Sequence, residues 1–280
     1  MIDKIQIESI KQYAYVPEHI ISYVTAVSGC EPFILDEFLA YVKNHHLIFI
    51  GYPLKGPSNE KRIKESLEKF NNLFHPTTVS ISSPLIPFPI NKCIHSSPGD
   101  YYYRLDLKDL SISQKTRNMV QRARKELLVE VNKNYDEEHQ RIVRTFIESR
   151  QLEEETKFIL GRIKEYISYS NESWIFNVRN KSGNLIAFDI AEFGAKDYAF
   201  YMFNFRSSSH YIPGASDLLL FEIINMARAE NKRYINLGLG INSGVRFFKK
   251  KWGGIPFLPH FYCIYKPSGQ ERIERLLYKL

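Results

Sequence analysis

Hydrophobic positions in the first hundred residues change their spacing in a way that predicts alternating helix and strand. Apolar side chains recur at helical spacing over residues 31–45, and the continuous apolar run 47–50 that follows is typical of a strand. A second helix is predicted over 60–74 and a second strand over 78–81. Four prolines between residues 82 and 99 exclude a regular helix or a central strand, so we expect an extended connector there.

After the connector, the pattern predicts a strand, three helices, an antiparallel meander, and then alternating helix and strand. Ser111, with Gln114 three residues later, is a candidate capping box for the first of these helices. The predicted segments are strand 101–107; helices 114–127, 137–149 and 154–169; strands 174–178, 185–193 and 198–205; helix 216–230; strand 234–237; helix 243–252; and strand 257–265. A meander that passes into alternating helix and strand indicates a mixed α/β fold with helices covering the sheet.

Composition and charge narrow the class of protein. The 280 residues are 44% hydrophobic, which suits one large domain or two closely packed ones, and no apolar run approaches the ~20 residues that span a bilayer. Residues 1–13 have no continuous apolar stretch, and Cys30, Cys93 and Cys263 form no spaced motif, so the cysteines are interpreted as thiols of a reducing compartment. The sequence therefore predicts a cytoplasmic protein without a transmembrane segment. The net charge of +7 favours polyanionic partners, and no histidine spacing indicates a metal site.

The segment from Tyr211 to Asp217 is a candidate site for the phosphates of a donor substrate. It links the end of a predicted strand to the start of an apolar helix, whose first-turn N–H groups and positive dipole end attract anions. Gly214 would let a ligand approach the backbone closely, and Ala215 and Ser216 open the helix. Taken alone, the commoner interpretation is an ordinary turn with Ser216 as N-cap.

A second candidate segment, residues 234–254, leaves a strand through two glycines and enters a basic aromatic helix. Gly238 and Gly240 follow the carboxyl end of a strand, which is where open sheets bind ligands. The alternative is that the lysines 249–251 form a solvated last turn that complements the helix dipole. The residues expected to line the resulting cleft are Asn204, Arg206, Gly238, Gly240, Asn242, Arg246 and Phe248.

Six short segments together carry a resemblance to a known family. They are residues 100–107, 115–118, 183–188, 214–219, 234–238 and 244–249. In their order and spacing the chain resembles the C-terminal domain family of phosphatidylglycerol lysyltransferases and, more distantly, the Fem-type aminoacyltransferases. The resemblance implies a tandem GNAT-like fold, with residues 1–95 as a degenerate first copy and residues 96–280 as the catalytic half.

The same resemblance implies transfer of an acyl or aminoacyl group to an amine or hydroxyl. Acyl-coenzyme A and aminoacyl-tRNA are the two donors it leaves open, and no tightly bound cofactor is expected. The Gly214 loop matches in place the diphosphate loop of GNAT enzymes, but Tyr211 and Ser216 stand where that loop has Gln or Arg and Gly or Ala. Lys249 falls where Fem-type enzymes carry a lysine near the reacting ester.

Transfer from an activated donor requires a proton acceptor and a stabiliser for the oxyanion. Asp189 is the candidate base, because it lies on an otherwise apolar strand face where desolvation would raise its pKa. Glu192, on the opposite face, is the rival, and an ion pair of Asp189 with Arg206 is an equally acceptable structural interpretation. In a GNAT-like site, backbone N–H groups of strand 198–205 would stabilise the oxyanion.

Helix 114–127 carries five cationic side chains that wrap more than one face. A solvated surface is the default interpretation, and contact with the acceptor arm of a tRNA is the functional one. A non-enzymatic alternative for the whole chain is a silent GNAT-like module that binds a nucleotide or nucleic acid. A peripheral lipid contact is compatible with the sequence, although no feature of it points there.

Overall fold

The computed structural model describes residues 2–267. The helices in this part of the chain are α1 (Lys4–Tyr13), α2 (Ile21–Ser28), α3 (Glu60–Phe74), α4 (Gln114–Glu126), α5 (Glu137–Glu148), α6 (Glu154–Gly161), α7 (Ile163–Tyr169), α8 (Ala215–Ala229) and α9 (Ser243–Lys251). The strands are β1 (Glu31–Leu35), β2 (Phe38–Lys43), β3 (His46–Ile50), β4 (Thr78–Ser83), β5 (His95–Ser96), β6 (Asp100–Asp106), β7 (Leu127–Asn132), β8 (Ser173–Asn180), β9 (Leu185–Glu192), β10 (Tyr198–Arg206), β11 (Tyr234–Leu239) and β12 (Ile255–Tyr265). The mixed α/β prediction is confirmed.

The strands form one continuous mixed sheet in the order β1-β2-β3-β4-β12-β6-β11-β10-β9-β8-β7, with β5 paired to β12. The pairs β3–β4 and β10–β11 are parallel, and the other pairs are antiparallel. Strand β12 joins the two halves of the sheet, because its first residues pair with β6 and its last residues pair with β4. The division into residues 1–95 and 96–280 stays a prediction, and part of the second range lies outside the described residues.

Helices cover both faces of the larger half of the sheet. Alternate residues of β9 point to opposite faces, so Ala187 packs into a core with α4 and α8, and Phe188 packs into a core with α5, α6 and α7. Each fully buried large apolar side chain in such a core contributes about 1.5–3 kcal/mol. The smaller half packs α3 on β3 and β4, while α1 and α2 cover the region where β12 and β6 meet.

The largest error of the sequence prediction lies in residues 31–45, which form a β-hairpin, β1 and β2, instead of a helix. Asp36 and Glu37 make the two-residue turn with left-handed φ angles of 48° and 73°. The hairpin lacks the usual glycine or Asn-Gly signal at this turn. Four of the six β2 residues are buried, and a strand that is buried on both faces has no polar alternation to distinguish it from a helix.

Other differences are local. Helices α1 and α2 and strand β7 were not predicted, and the predicted helix 154–169 breaks into α6 and α7 at Arg162. Ser113, not Ser111, caps α4, because its side chain accepts a hydrogen bond from the Thr116 N–H. The remaining predicted helices and strands are confirmed to within a few residues at each end.

The interpretation of all three cysteines as thiols is wrong for two of them. Cys93 in the connector forms a disulfide with Cys263 in β12, across 170 residues of chain. No local spacing signals this pair, since it arises only when β12 returns beside β5. Cys30 is a free, buried thiol.

Candidate functional site

The sheet opens between β10 and β11. These parallel strands pair over only three positions, from Tyr198↔Tyr234 to Phe200↔Asn236. Beyond that point β10 bulges at Met202, where its register with β9 shifts, and β11 shifts register against β6. Bulges are over-represented next to active sites because they interrupt pairing and re-aim side chains. The result is an opening between the C-terminal parts of β10 and β11.

Gly238 lies in this opening, on a backbone with φ of +75°. Its N–H donates to the buried Asn236 Oδ1 at 2.8 Å, and the amide of Asn236 donates to the Tyr15 carbonyl at 2.8 Å. A Cβ at position 238 would lie 3.6 Å from Lys249 Nζ and 3.9 Å from the Tyr201 carbonyl oxygen. Because Gly238 has no side chain, space remains between the Lys249 amine and the Tyr201 carbonyl. A side chain at position 238 would fill that space.

Lys249 lies in α9 and is only 4% exposed. Its Nζ donates to the Leu239 carbonyl and stands 5.8 Å from the centre of the Tyr103 ring. Burial lowers the pKa of Lys249 to about 7, against an opposing effect of the Asp100 carboxylate. An amine with a pKa near neutrality exchanges its proton readily at physiological pH, so Lys249 can both stabilise negative charge and deliver a proton.

Asp189 is fully buried in β9, directly across from Asn204 in β10. Burial raises the pKa of Asp189 to about 8, and the Asn204 amide, which donates to Oδ1, together with Tyr201 partly offsets this effect. Asp189 Oδ2 and the neighbouring Tyr201 hydroxyl are both buried, and neither has another hydrogen-bond partner among the described residues. Arg206 is exposed at the end of β10, so Asn204 is the partner of Asp189.

Glu192, the rival candidate base, is bound into a different network. Its Oε2 accepts hydrogen bonds from the Tyr166 hydroxyl at 2.7 Å and from the Ser170 hydroxyl at 2.8 Å. Burial raises the pKa of Glu192, and these two donors oppose the rise. The carboxylate links β9 to α7 on the sheet face away from α8, so its structural role accounts for its burial.

The Gly214 loop has the geometry that an anion site needs. Gly214 is the N-cap of α8 with φ of +84°, and no side chain caps the helix. A Cβ at this position would lie 3.0 Å from Met119 Cγ, so only glycine lets the loop approach α4 this closely. Ser216 in the first turn exchanges hydrogen bonds with Asn204, and Tyr211 is 69% exposed. Ala215 is buried.

Asp217 joins the two candidate segments. Its Oδ1 accepts from Trp252 Nε1 at 2.9 Å and pairs with Lys251 Nζ at 2.5 Å. These contacts bind the first turn of α8 to the end of α9, two residues from Lys249. The folded chain therefore brings the predicted phosphate loop and the predicted lysine site together.

The other predicted cleft residues surround α9. Asn242 caps the helix by accepting from the Val245 N–H, and Phe248 packs at the edge of the core that contains Trp252. Arg246 is exposed, with its Cγ 3.1 Å from the Cβ position of Gly240. The roles assigned to these residues stay predictions.

Sequence reasoning missed Asp100, Tyr201, Asn236 and Trp252, although each contacts a predicted site residue. A polar residue on an apolar strand face was the available signal for Asn236.

A family model described as phosphatidylglycerol lysyltransferase, C-terminal, matches residues 23–272. The match covers most of the chain. The protein belongs to the phosphatidylglycerol lysyltransferase C-terminal family. The resemblance drawn from the six sequence segments is thereby confirmed.

Solved structures show the same fold at low sequence identity. L-PGS from Bacillus licheniformis superposes with a TM-score of 0.59 and 13% identity, covering 99% of this chain and 96% of that one. FemX superposes with a TM-score of 0.61 and 10% identity, covering 99% and 98%. A tandem GNAT protein from the clavulanic acid biosynthesis pathway gives 0.50 and 12%, covering 82% and 79%. A comparison with curated proteins found no match.

Family and fold together define the broad activity. The chain is a GNAT-like enzyme of the acyltransferase and aminoacyltransferase class. The family therefore supports an enzyme and not the silent binding module. In this fold the opening between β10 and β11, with Lys249 and Gly238 at its wall, is the candidate active site.

Helix α4 is the basic helix of this lysyltransferase-type domain, and it contacts the Gly214 loop. Its five cationic side chains, Lys115, Arg117, Arg122, Arg124 and Lys125, are all exposed. Arg124 also pairs with Glu222 of α8 at 2.5 Å. Because α4 packs on α8 and contacts the Gly214 loop through Met119, the helix that carries these charges passes the predicted phosphate site.

Two kinds of feature are absent from residues 2–267. No helix there is long and apolar enough to cross a membrane. Within the same residues, no group of three or more His, Cys, Asp or Glu side chains is arranged to hold a metal ion.

Proposed function

We propose that the protein transfers an aminoacyl group from an aminoacyl-tRNA to an amine or hydroxyl acceptor, with the reacting ester in the opening between β10 and β11. The observation that carries the proposal is Lys249, a buried amine beside Gly238 whose pKa lies near 7. An ester oxygen needs a proton as it leaves, and an amine poised near neutrality supplies it efficiently. Membership of the lysyltransferase family supports an aminoacyl ester as the donor.

The donor choice rests on the loop and on the neighbouring helix. Tyr211 and Ser216 replace the residues with which GNAT enzymes usually hold a diphosphate, which disfavours coenzyme A. Met119 of α4 contacts the Gly214 loop, and α4 carries five exposed cations, so a phosphate backbone that passes Gly214 would meet this helix as well. A nucleic acid with several phosphates fits this surface better than a single diphosphate does.

Two titrating groups, Asp189 and Lys249, carry the protons in the proposed transfer step. The acceptor nitrogen or oxygen bonds to the ester carbonyl carbon, and its proton passes to Asp189 through the Tyr201 hydroxyl. Lys249 stabilises the negative charge on the carbonyl oxygen and gives its proton to the ribose oxygen as that bond breaks. The products are a new amide or ester and a tRNA with a free hydroxyl. Asp189 then returns its proton to Lys249 through solvent.

This step needs Asp189 ionised and Lys249 protonated, which is the minority state of both groups. With pKa values of about 8 and about 7, each group is in that form in roughly a quarter of the molecules at pH 7.5. About one molecule in sixteen then has both. The rate is expected to peak near pH 7.5 and to fall by roughly 20-fold at pH 5.5, where Asp189 is protonated.

Calorimetric titration of the purified protein with coenzyme A, and separately with uncharged tRNA, tests the donor class. Three phosphate contacts would weaken tRNA binding by about 40-fold between 50 and 200 mM salt. Reversing the charges of Lys115 and Arg122 should weaken the binding further, whereas reversing exposed Lys64 on α3 is the matched control. Saturable coenzyme A binding without tRNA binding would instead assign a thioester donor and overturn the proposal.

A further inference from the structure

We propose that Asp100 is a positioning residue, which holds the strained turn at residues 240–242 and thereby sets the place and the electrostatic surroundings of Lys249. The inference deepens the proposed function, because Lys249 is the group on which that function rests. No sequence pattern singled out Asp100 as a site residue. Three observations that concern different parts of the site lead to it.

The first observation is a pair of hydrogen bonds that tie the start of β6 to the loop between β11 and α9. Asp100 Oδ1 accepts from the Tyr101 N–H at 2.7 Å, and Oδ2 accepts from the Ile241 N–H at 2.7 Å, across 141 residues of chain. Both oxygens of the carboxylate are thus used by backbone donors. A carboxylate in this arrangement orients the loop as well as binding it.

The second observation is backbone strain at the residue that Asp100 holds. Ile241 is β-branched and has φ of 50°, and the Asn242 N–H reaches back to the Gly240 carbonyl at 2.6 Å, which closes a three-residue turn. Such a conformation costs about 1–3 kcal/mol and persists only where the surroundings enforce it. The Ile241 side chain is 72% exposed, so its packing does not enforce the turn. The carboxylate of Asp100 holds it, beside the Tyr101 carbonyl, which accepts from the Gly240 N–H at 3.1 Å.

The third observation connects the turn to Lys249. The carbonyl that accepts from Lys249 Nζ belongs to Leu239, the residue immediately before Gly240. A Cβ at position 240 would lie 2.6 Å from Asp100 Oδ1, so only glycine lets the chain pass this close to the carboxylate. The direction of the Leu239 carbonyl, and with it the place of the amine, therefore depends on the turn.

The negative charge of Asp100 also acts on Lys249. The Asp100 carboxylate raises the pKa of Lys249 and so opposes the lowering by burial. From the other elements near Nζ, Tyr103 contributes a ring face and Tyr201 a backbone carbonyl. On α9 itself Arg246 and Lys250 are exposed, and Lys251 is paired with Asp217. Asp100 is the anion whose field acts on Lys249.

The test measures the pH dependence of Lys249 acetylation and needs no donor substrate. Wild type, Asp100→Asn and Asp106→Asn are labelled with limiting acetic anhydride from pH 5 to 10, and the acetylated fraction of Lys249 is read by peptide mass spectrometry. Asparagine removes the charge and can accept only one of the two N–H groups, so the labelling midpoint should fall by about one pH unit or more. Asp106 lies at the other end of β6 and accepts locally from the Lys108 N–H, so its variant should match wild type.

A second variant separates position from charge. Gly240→Ala keeps the carboxylate but forces it away from the turn, and should lower kcat at least tenfold with little change in KM. An unchanged Lys249 midpoint in folded Asp100→Asn protein, or an equal shift in Asp106→Asn, would overturn the proposal. Full activity of Gly240→Ala would do so as well if Asp100→Asn fails to fold. Absence of aminoacyl transfer from every donor would refute the proposed function but leave the labelling result intact.

Discussion

Replacing Lys249 by methionine is expected to stabilise the protein and to stop transfer. Methionine matches the unbranched apolar stem of lysine, without its terminal amine and its charge. In the folded state burial holds the pKa of Lys249 at about 7, against an ordinary value of 10.5. Between these pH values the unfolded chain binds a proton at Lys249 that the folded chain lacks, so the free energy of unfolding rises with pH. Below pH 7 the buried charge is present and the full cost applies.

The size of the stability change follows from the two pKa values of Lys249, about 7 in the folded chain and 10.5 ordinarily. The slope is about 1.4 kcal/mol per pH unit, which gives a cost of roughly 5 kcal/mol below pH 7 as an upper limit. The variant also loses the hydrogen bond to the Leu239 carbonyl, which costs about 1–3 kcal/mol when that oxygen has no other donor. At pH 6.5 we therefore expect a net gain of about 2 kcal/mol in unfolding free energy. At pH 10 the gain should vanish or become a loss.

Urea unfolding followed by circular dichroism at pH 6.5, 8 and 9.5 measures these differences. Lys250→Met is the matched control, because Lys250 is adjacent in sequence and exposed. Transfer from a labelled donor should fall by about 10²–10³ in Lys249→Met and by less than twofold in the control. A stability difference between Lys249→Met and wild type that does not change with pH would refute the account of Lys249 as a buried amine.

Three further predictions concern other parts of the molecule. Asp189→Asn should lower turnover by about 10²–10⁴ and abolish the fall of the rate at acidic pH; a variant with full turnover would exclude Asp189 as base. Gly214→Ala should lower the free energy of unfolding by about 1–3 kcal/mol more than Gly183→Ala, because both glycines have positive φ but only Gly214 is pressed against Met119; equal melting shifts would contradict this. Cys93→Ser should lower it by about 2–5 kcal/mol, and a reductant should destabilise wild type but not this variant; a wild type indifferent to reductant would show that the disulfide is not formed.

Much of the secondary structure was predictable because its signals are local. The helix 60–74 and the helices α8 and α9 combine helical periodicity with clear ends, and the meander strands are separated by polar turns. The hairpin at residues 31–43 was not predictable in the same way. Its two strands are largely apolar on both faces and its turn has no glycine, so the spacing fits a helix equally well.

The candidate site was predictable only in part, for a related reason. The Gly214 loop and the run from Gly238 to Lys249 are marked by glycines and charges that lie close together in sequence. Asp100 and Tyr201 reach the site from β6 and β10, and their importance depends on strand pairing and on a bulge that no local pattern encodes. The Cys93–Cys263 disulfide has the same origin, since β12 brings the two residues together.

The most direct test of the central claim is a transfer assay with aminoacyl-tRNA labelled in the amino acid, offered together with a mixture of amine and hydroxyl acceptors. The account predicts that wild type moves label from the tRNA ester to an acid-stable product, with a rate maximum near pH 7.5, and that Lys249→Met does not. Label that stays on tRNA with wild type, while acyl-coenzyme A donates its acyl group to the same acceptors, would contradict the account.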